Sequence, residues 1–213
     1  MRITLTTLQQ HVKNNNKFSV LTCYDATFAK ILEGAGVDVL LIGDSLGNVL
    51  KGESTTLSVT LDDIIYHTRC VSSGSNRALI MADMPFGSYQ QSPQQAFDNA
   101  SKILAAGAHM VKIEGGQVMA ETTAFLTQRG IPVCDHIGLM PQSLPQLGGY
   151  KLQGASQQSA KQLIEDALLL EKAGAGMLLM EVVPAKLAQE ITQSLLIPTI
   201  GIGAGKNCSA QVL

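Results

Sequence analysis

The segment "HMVKIEGG" places two charged residues, Lys112 and Glu114, inside a short apolar run. Side chains alternate across a β-strand, so residues two positions apart share a face. Lys112 and Glu114 therefore point to one side, whereas Val111 and Ile113 point to the other and suit packing under helices. The lysine can bind the charge of an anionic substrate, and the glutamate can support a metal ion.

Five other short apolar runs also end in an acidic residue or a histidine. These residues are Asp25, Asp44, Asp83, His136 and Glu181. Several carboxylates buried at one end of a barrel raise each other's pKa, because their negative charges repel. A hard divalent cation bound between them offsets this repulsion. Oxygen ligands without clustered cysteines favour magnesium over zinc. The sequence therefore predicts a Mg²⁺ site with a lysine beside it.

Such a site suits a 2-keto acid. The metal and Lys112 would bind the carboxylate and keto oxygens, and the metal would stabilise the enolate formed when a carboxylate base removes the C3 proton. Glu181 is the candidate base, as a lone buried glutamate. Structural alternatives stay open: a salt bridge between Lys112 and Glu114, and a hydrogen-bonded rim role for His136. For Asp25 we favour a helix N-cap.

The elements that must position these residues form a repeating pattern of a short apolar run followed by a helical stretch. Seven such runs occur, at "FSVLTCYD", "VDVLLIGDS", "ALIMADMP", "HMVKIEGG", "IPVCDHIG", "GMLLMEVVP" and "IPTIGIGAG". This alternation predicts a parallel sheet with right-handed crossovers. No Gly-x-Gly-x-x-Gly motif follows the first run, so we expect an α/β TIM (β/α)8-type barrel rather than a doubly wound sheet.

A closed barrel needs eight strands, and only seven strand–helix units are visible. We expect "SAQVL" to begin the helix after the seventh strand, which leaves the eighth strand and the C-terminal helices absent from this sequence. Two long segments, residues 46–60 and 139–156, follow strands and should lie on the rim that carries the active site, the first as a lid. Asp135 should point away from His136 and have a structural role.

Composition narrows the class of protein. The 213 residues are 46% hydrophobic, and their formal net charge is −2. This charge does not favour binding to nucleic acid or to an anionic membrane. No apolar run has the roughly 18 residues needed to span a bilayer, and the N-terminus has no signal-peptide core. The four cysteines lie far apart and form no CxxC pair. We expect a cytoplasmic enzyme without nucleic-acid or membrane partners.

The ordered motifs "TCYDAT", "GDSLGNVLKG", "ADMPFGSY", "MVKIEGG", "HIGLMPQS", "GGYKLQG" and "IGIGAG" resemble the ketopantoate hydroxymethyltransferase (3-methyl-2-oxobutanoate hydroxymethyltransferase) family. The resemblance implies a magnesium-dependent (β/α)8 barrel. It would transfer a hydroxymethyl group from 5,10-methylenetetrahydrofolate to 3-methyl-2-oxobutanoate, giving 2-dehydropantoate for pantothenate and coenzyme A biosynthesis. It also implies a homo-oligomer, a decamer in the family, and a single barrel domain over residues 1–213 that is C-terminally incomplete relative to the family.

The resemblance also assigns roles to individual residues. The metal ligands are Asp44, Asp83 and Glu114, the last directly or through water. The keto acid contacts are Asp44, Ser45, Asp83, Lys112 and His136, and Glu181 transfers the proton. Two departures are local: Asp135 stands where a small residue is expected, and "GYKLQGAS" lacks the usual glycine- and arginine-like ending.

Two other functions fit the same residues. One is a different magnesium-dependent barrel that makes or breaks a C–C bond next to a keto acid, of the isocitrate lyase and phosphoenolpyruvate mutase type. The other is a truncated chain that binds metal and keto acid without turnover. Folate dependence of turnover distinguishes the first of these from the hydroxymethyltransferase.

Overall fold

Eight parallel strands form a closed barrel in chain order. The structure is a computed structural model that describes residues 1–144 and 148–213. The strands are β1 (Phe18–Thr22), β2 (Val39–Ile42), β3 (Leu79–Asp83), β4 (Met110–Glu114), β5 (Val133–Gly138), β6 (Met177–Glu181), β7 (Thr199–Ile202) and β8 (Ala210–Val212). The predicted TIM-type α/β barrel is therefore confirmed.

The expectation that the eighth strand is absent was wrong. The segment "SAQVL" does not begin a helix. It forms β8, which pairs with β1 through Phe18 and Ala210 and with β7 through Ile200 and Ala210. Ala210 and Val212 are buried and pack inside the barrel, whereas the side chain between them is exposed. The strand β8 pairs with backbone groups of β1 and β7 that would otherwise lack hydrogen-bond partners. Three residues are therefore enough to close the barrel.

One helix precedes β1, and the others follow β1 to β6 and surround the barrel. They are α1 (Leu5–Lys13), α2 (Ala26–Gly34), α3 (Leu46–Val49), α4 (Leu61–Gly74), α5 (Pro93–Ala105), α6 (Ala120–Thr127), α7 (Gln157–Ala173) and α8 (Ala185–Ser194), with 3-10 turns at Gln117–Met119 and Pro141–Ser143. Asp25 caps α2 as predicted, since its Oδ1 accepts hydrogen bonds from the Thr27 and Phe28 amides at 2.8 Å. Across residues 1–144 and 148–213, none of the helices has both the length and the apolarity needed to cross a membrane.

The strands are buried on both faces, as their apolar composition predicts. Outward side chains such as Leu40 and Ile80 pack under the helices, and inward ones such as Leu41 and Met81 fill the barrel. Leu8 of α1 belongs to the interior cluster and is fully buried, so α1 covers one end of the barrel. The polar side chains that face the cavity lie above this apolar filling, towards the carboxyl ends of the strands.

The two long segments follow β2 and β5, as predicted. The first contains α3, and its residues Asn48 and Thr56 line the cavity at the carboxyl end of the barrel. The second contributes Pro141 and Tyr150 to the same cavity. Residues 145–147 of the second segment lie outside the described residues. The lid function remains a prediction.

Candidate active site

A cavity of about 210 Å³ occupies the carboxyl end of the barrel. All seven residues predicted for the site line it: Asp44, Ser45, Asp83, Lys112, Glu114, His136 and Glu181. They come from five different strands or the turns that directly follow them. The seven residues therefore meet in one cavity, as expected, whereas their assignment as a functional site and their individual roles remain predictions.

The register of the sheet explains why these side chains meet. Asp83 pairs with Lys112 across β3 and β4, and Glu114 pairs with His136 across β4 and β5. Paired residues on neighbouring strands sit at similar heights along the barrel axis, and strand alternation turns all four inward. Each therefore reaches the same layer just above the apolar filling.

Two buried aspartates lie side by side in the site. The backbone amide of Asp44 donates to Oδ2 of Asp83 at 3.0 Å, and the two residues are 4% and 3% exposed. Burial raises the pKa of Asp44 to about 7, and the charge of Asp83 adds to the effect while Lys112 opposes it. Burial also raises the pKa of Asp83. The pair thus resists ionising fully unless positive charge is nearby.

Lys112 supplies part of that positive charge. Its Nζ lies 3.1 Å from Oδ1 of Asp83, 4.0 Å from Oε1 of Glu114 and 3.4 Å from Nδ1 of His136. Burial alone would lower the pKa of Lys112, but the charges of Asp83, Glu114 and Asp44 outweigh it and raise the pKa. The ammonium therefore stays charged at the centre of the site.

Glu181 lies on the opposite side of the cavity, next to His136. Its Oε2 is 3.4 Å from Nε2 of the imidazole, and its side chain is 16% exposed, which is more than the other carboxylates of the site. Burial raises its pKa. A partly accessible carboxylate with a raised pKa suits proton transfer to and from a bound molecule.

Three further residues reach the site that sequence reasoning did not single out. The Tyr24 hydroxyl lies 2.8 Å from Oγ of Ser45. The Gln142 side chain donates to Oδ2 of Asp44 at 2.9 Å, and Tyr89 donates to Gln142 at 2.7 Å. Gln142 belongs to the "GLMPQS" segment directly after β5, and its polar side chain at the start of a rim loop was the available signal.

The charges of the site suit a divalent cation. With Lys112 charged, three ionised carboxylates leave two negative charges without a partner. Oε1 of Glu114 is buried without a hydrogen bond, and Oδ1 of Asp83 has only the ion pair with Lys112 at 3.1 Å. Oxygen donors with unmet demand suit Mg²⁺, which completes its octahedral shell with water. Within residues 1–144 and 148–213, no group of three or more histidine, cysteine or acidic side chains is arranged closely enough to hold a metal ion by itself.

Sequence comparison identifies relatives over the whole chain. The family model described as ketopantoate hydroxymethyltransferase matches residues 2–213. A 3-methyl-2-oxobutanoate hydroxymethyltransferase from Nitrosospira multiformis is 66% identical, an alignment that covers 100% of this chain and 81% of the relative. The enzyme of the same name from Thiobacillus denitrificans is 57% identical, with 100% of this chain and 81% of the relative covered.

Comparison with solved structures finds the same barrel in more distant proteins. Phosphonopyruvate hydrolase, in a complex with oxalate and Mg²⁺, superposes with a TM-score of 0.74 at 12% identity and covers 99% of this chain and 80% of its own. The 2,3-dimethylmalate lyase of the PEP mutase/isocitrate lyase superfamily has a TM-score of 0.68 at 18% identity, covering 100% of this chain and 79% of its own. At these identities the likeness concerns the fold alone.

Proposed function

Because the chain belongs to the ketopantoate hydroxymethyltransferase family, we propose that it transfers a hydroxymethyl group from 5,10-methylenetetrahydrofolate to 3-methyl-2-oxobutanoate. The product would be 2-dehydropantoate, for pantothenate and coenzyme A biosynthesis, and Mg²⁺ would be the cofactor. The observation that carries the proposal is the meeting of a charged lysine, three carboxylates and a separate glutamate around one cavity.

The first task of the site is to hold the keto acid. Lys112 presents a fixed positive charge to the substrate carboxylate, and the Ser45 hydroxyl is a hydrogen-bond donor in the same wall. Asp44 and Asp83 would bind Mg²⁺, with Glu114 as a third ligand or as a partner of a metal-bound water. When bound, the cation supplies positive charge that favours electron density on the keto oxygen.

The second task is proton transfer. Glu181 would accept the C3 proton of the keto acid through its partly exposed carboxylate. The C3 atom would then form the new C–C bond to the one-carbon unit, while the bonds from that unit to the folate nitrogens break, water supplies the hydroxyl oxygen and tetrahydrofolate leaves. His136, at 3.4 Å from Glu181, is placed to stabilise the ionised carboxylate before the transfer. Burial around Glu181 raises its pKa, which brings the base closer to the substrate in proton affinity.

The remaining predictions about partners and location also belong to the proposal. We expect a keto acid and a folate as the small-molecule partners, and a homo-oligomer in the cytoplasm. Exposed apolar side chains on the packed helices α2 and α4 support self-association: Phe28, Ile31 and Tyr66 are each more than half exposed. Light scattering of the purified protein would measure the assembly.

The test of the proposed reaction is turnover of 3-methyl-2-oxobutanoate followed by NMR. We expect 2-dehydropantoate to appear only when both Mg²⁺ and 5,10-methylenetetrahydrofolate are present. Chelation should stop the reaction, and added Mg²⁺ should restore it. Full turnover without folate would favour a lyase or mutase of the structurally similar barrels. Keto-acid binding without any turnover would favour the binding-only alternative.

A further inference from the structure

Gln142 touches two of the proposed metal ligands, although it has no assigned role. The residue is 4% exposed and lies in the 3-10 turn after β5. Its side-chain nitrogen donates to Oδ2 of Asp44 at 2.9 Å and to the Met84 carbonyl at 3.0 Å. Its backbone amide donates to Oε2 of Glu114 at 3.0 Å. One residue therefore binds a carboxylate on each side of the site.

The orientation of the Gln142 amide group is fixed from its other end. Its Oε1 accepts hydrogen bonds from the Tyr89 hydroxyl at 2.7 Å and from the Gln90 side chain at 3.1 Å. Tyr89 is itself anchored, because its hydroxyl accepts a hydrogen bond from the Glu114 amide at 3.0 Å. Both donors and both acceptor positions of the glutamine side chain are thus in use. A flipped amide would lose the hydrogen bonds to Asp44, Met84 and Gln90.

These contacts divide the carboxylate oxygens into two sets. Oδ2 of Asp44 and Oε2 of Glu114 are engaged by Gln142. In contrast, Oε1 of Glu114 is buried without a hydrogen bond. The arrangement holds each carboxylate in one orientation and leaves Oε1 of Glu114 without a hydrogen bond, 3.5 Å from Nδ1 of His136.

We propose that Gln142 is a positioning residue that determines which oxygens of Asp44 and Glu114 are presented to the cation. This inference rests on the proposed Mg²⁺ site. Gln142 acts through the carboxylates and needs no contact with the substrate. Groups that hydrogen-bond to ligating carboxylates commonly set metal affinity in this way, since they remove the cost of ordering the ligand at the moment of binding.

The test is Mg²⁺ titration by calorimetry on the full chain without keto acid or folate. Gln142→Met keeps the length of the side chain but removes its hydrogen bonds. We expect its Kd for Mg²⁺ to rise about 10- to 100-fold. Gln153→Met is the matched control, because Gln153 lies on the same rim segment and its side chain donates to the Lys151 carbonyl without touching Gln142 or a carboxylate of the site. Its Kd should stay close to that of the unaltered protein.

The outcomes are distinguishable. An unchanged Kd in a folded Gln142→Met variant would overturn the positioning role and leave the metal proposal intact. Absence of Mg²⁺ binding by the unaltered protein would overturn both. If Gln142→Met does not fold, Tyr89→Phe removes one of the two groups that fix the glutamine, and a smaller rise in Kd is expected. An unchanged Kd in Tyr89→Phe, with the fold confirmed by circular dichroism, would then count against the role.

Discussion

Lys112 is closer to Asp83 on the neighbouring strand than to Glu114 on its own strand. The distance from Nζ to Oδ1 of Asp83 is 3.1 Å, against 4.0 Å to Oε1 of Glu114. The spacing of Lys112 and Glu114 in the sequence correctly placed them on one face. The tighter ion pair nevertheless forms across the sheet, where side chains directly opposite each other come closest.

Replacing Lys112 tests whether its charge serves the substrate. Lys112→Met should weaken keto-acid binding about 10- to 100-fold, since a hydrogen bond to a charged group contributes about 1.5–3 kcal/mol. Mg²⁺ affinity should not fall, because three carboxylates remain and lose a competing cation. Calorimetric titration with each ligand measures both. An equal loss of the two affinities would instead indicate a structural ion pair.

Glu181→Gln tests the proposed base. The substitution keeps the shape of the side chain and removes its ability to accept a proton. Exchange of the C3 proton of the keto acid with deuterated water, followed by NMR, should slow by about 10²-fold or more. Keto-acid affinity should persist, since Lys112 is unchanged. Glu190→Gln, on the exposed side of α8, is the control. Normal exchange in the first variant would assign the base to another group.

The buried carboxyl group of Asp135 should make the free energy of unfolding depend on pH. It is fully buried on the outer face of β5, with one hydrogen bond, from the Thr123 hydroxyl at 2.9 Å. Burial raises its pKa from 3.8 to about 8. The folded state therefore keeps a proton that the unfolded state releases, so this contribution to stability is present below pH 4 and is lost as the pH rises to 8. The slope is up to about 1.4 kcal/mol per pH unit.

Asp135→Asn stays neutral and should lack this slope. Urea unfolding of both proteins between pH 5 and 8, without metal, should show the variant gaining relative stability as the pH rises. Asp98→Asn, on the exposed surface of α5, controls for the loss of one carboxylate. Parallel pH profiles for the unaltered protein and Asp135→Asn would show that Asp135 is not the responsible group.

The closing strand gives a further test of stability. Gln211 lies in the middle of β8, opposite Ser19 of β1 and Gly201 of β7. Proline at this position removes a ladder donor and leaves a buried carbonyl unpaired, at a cost of about 1–3 kcal/mol. Gln211→Ala keeps the backbone donor and should be much milder. The midpoints of urea unfolding compare the two, and equal midpoints would mean that β8 adds little to the barrel.

The sequence predicted the barrel and the meeting of seven side chains at its carboxyl end because both follow from short-range patterns. The alternation of strands and helices predicts the barrel, and a polar residue at the end of an apolar run indicates the carboxyl end of a strand. β8 escaped detection because it has only three residues and no helix separates it from β7. Gln142 was not predicted because its partners Tyr89 and Asp44 are 53 and 98 positions away in the sequence. No local spacing of residues indicates these contacts.

The pairing of β1 with β8 also bears on how the chain acquires its fold. Thr22 and Leu213 contact each other across 191 positions of sequence, and every strand between them must be in place first. Such non-local parallel pairing makes folding slow. During synthesis β1 has one unpaired edge until β8 emerges. The cavity at the carboxyl end of the barrel is therefore among the last parts to assemble, and the nascent chain depends on protection from aggregation until then.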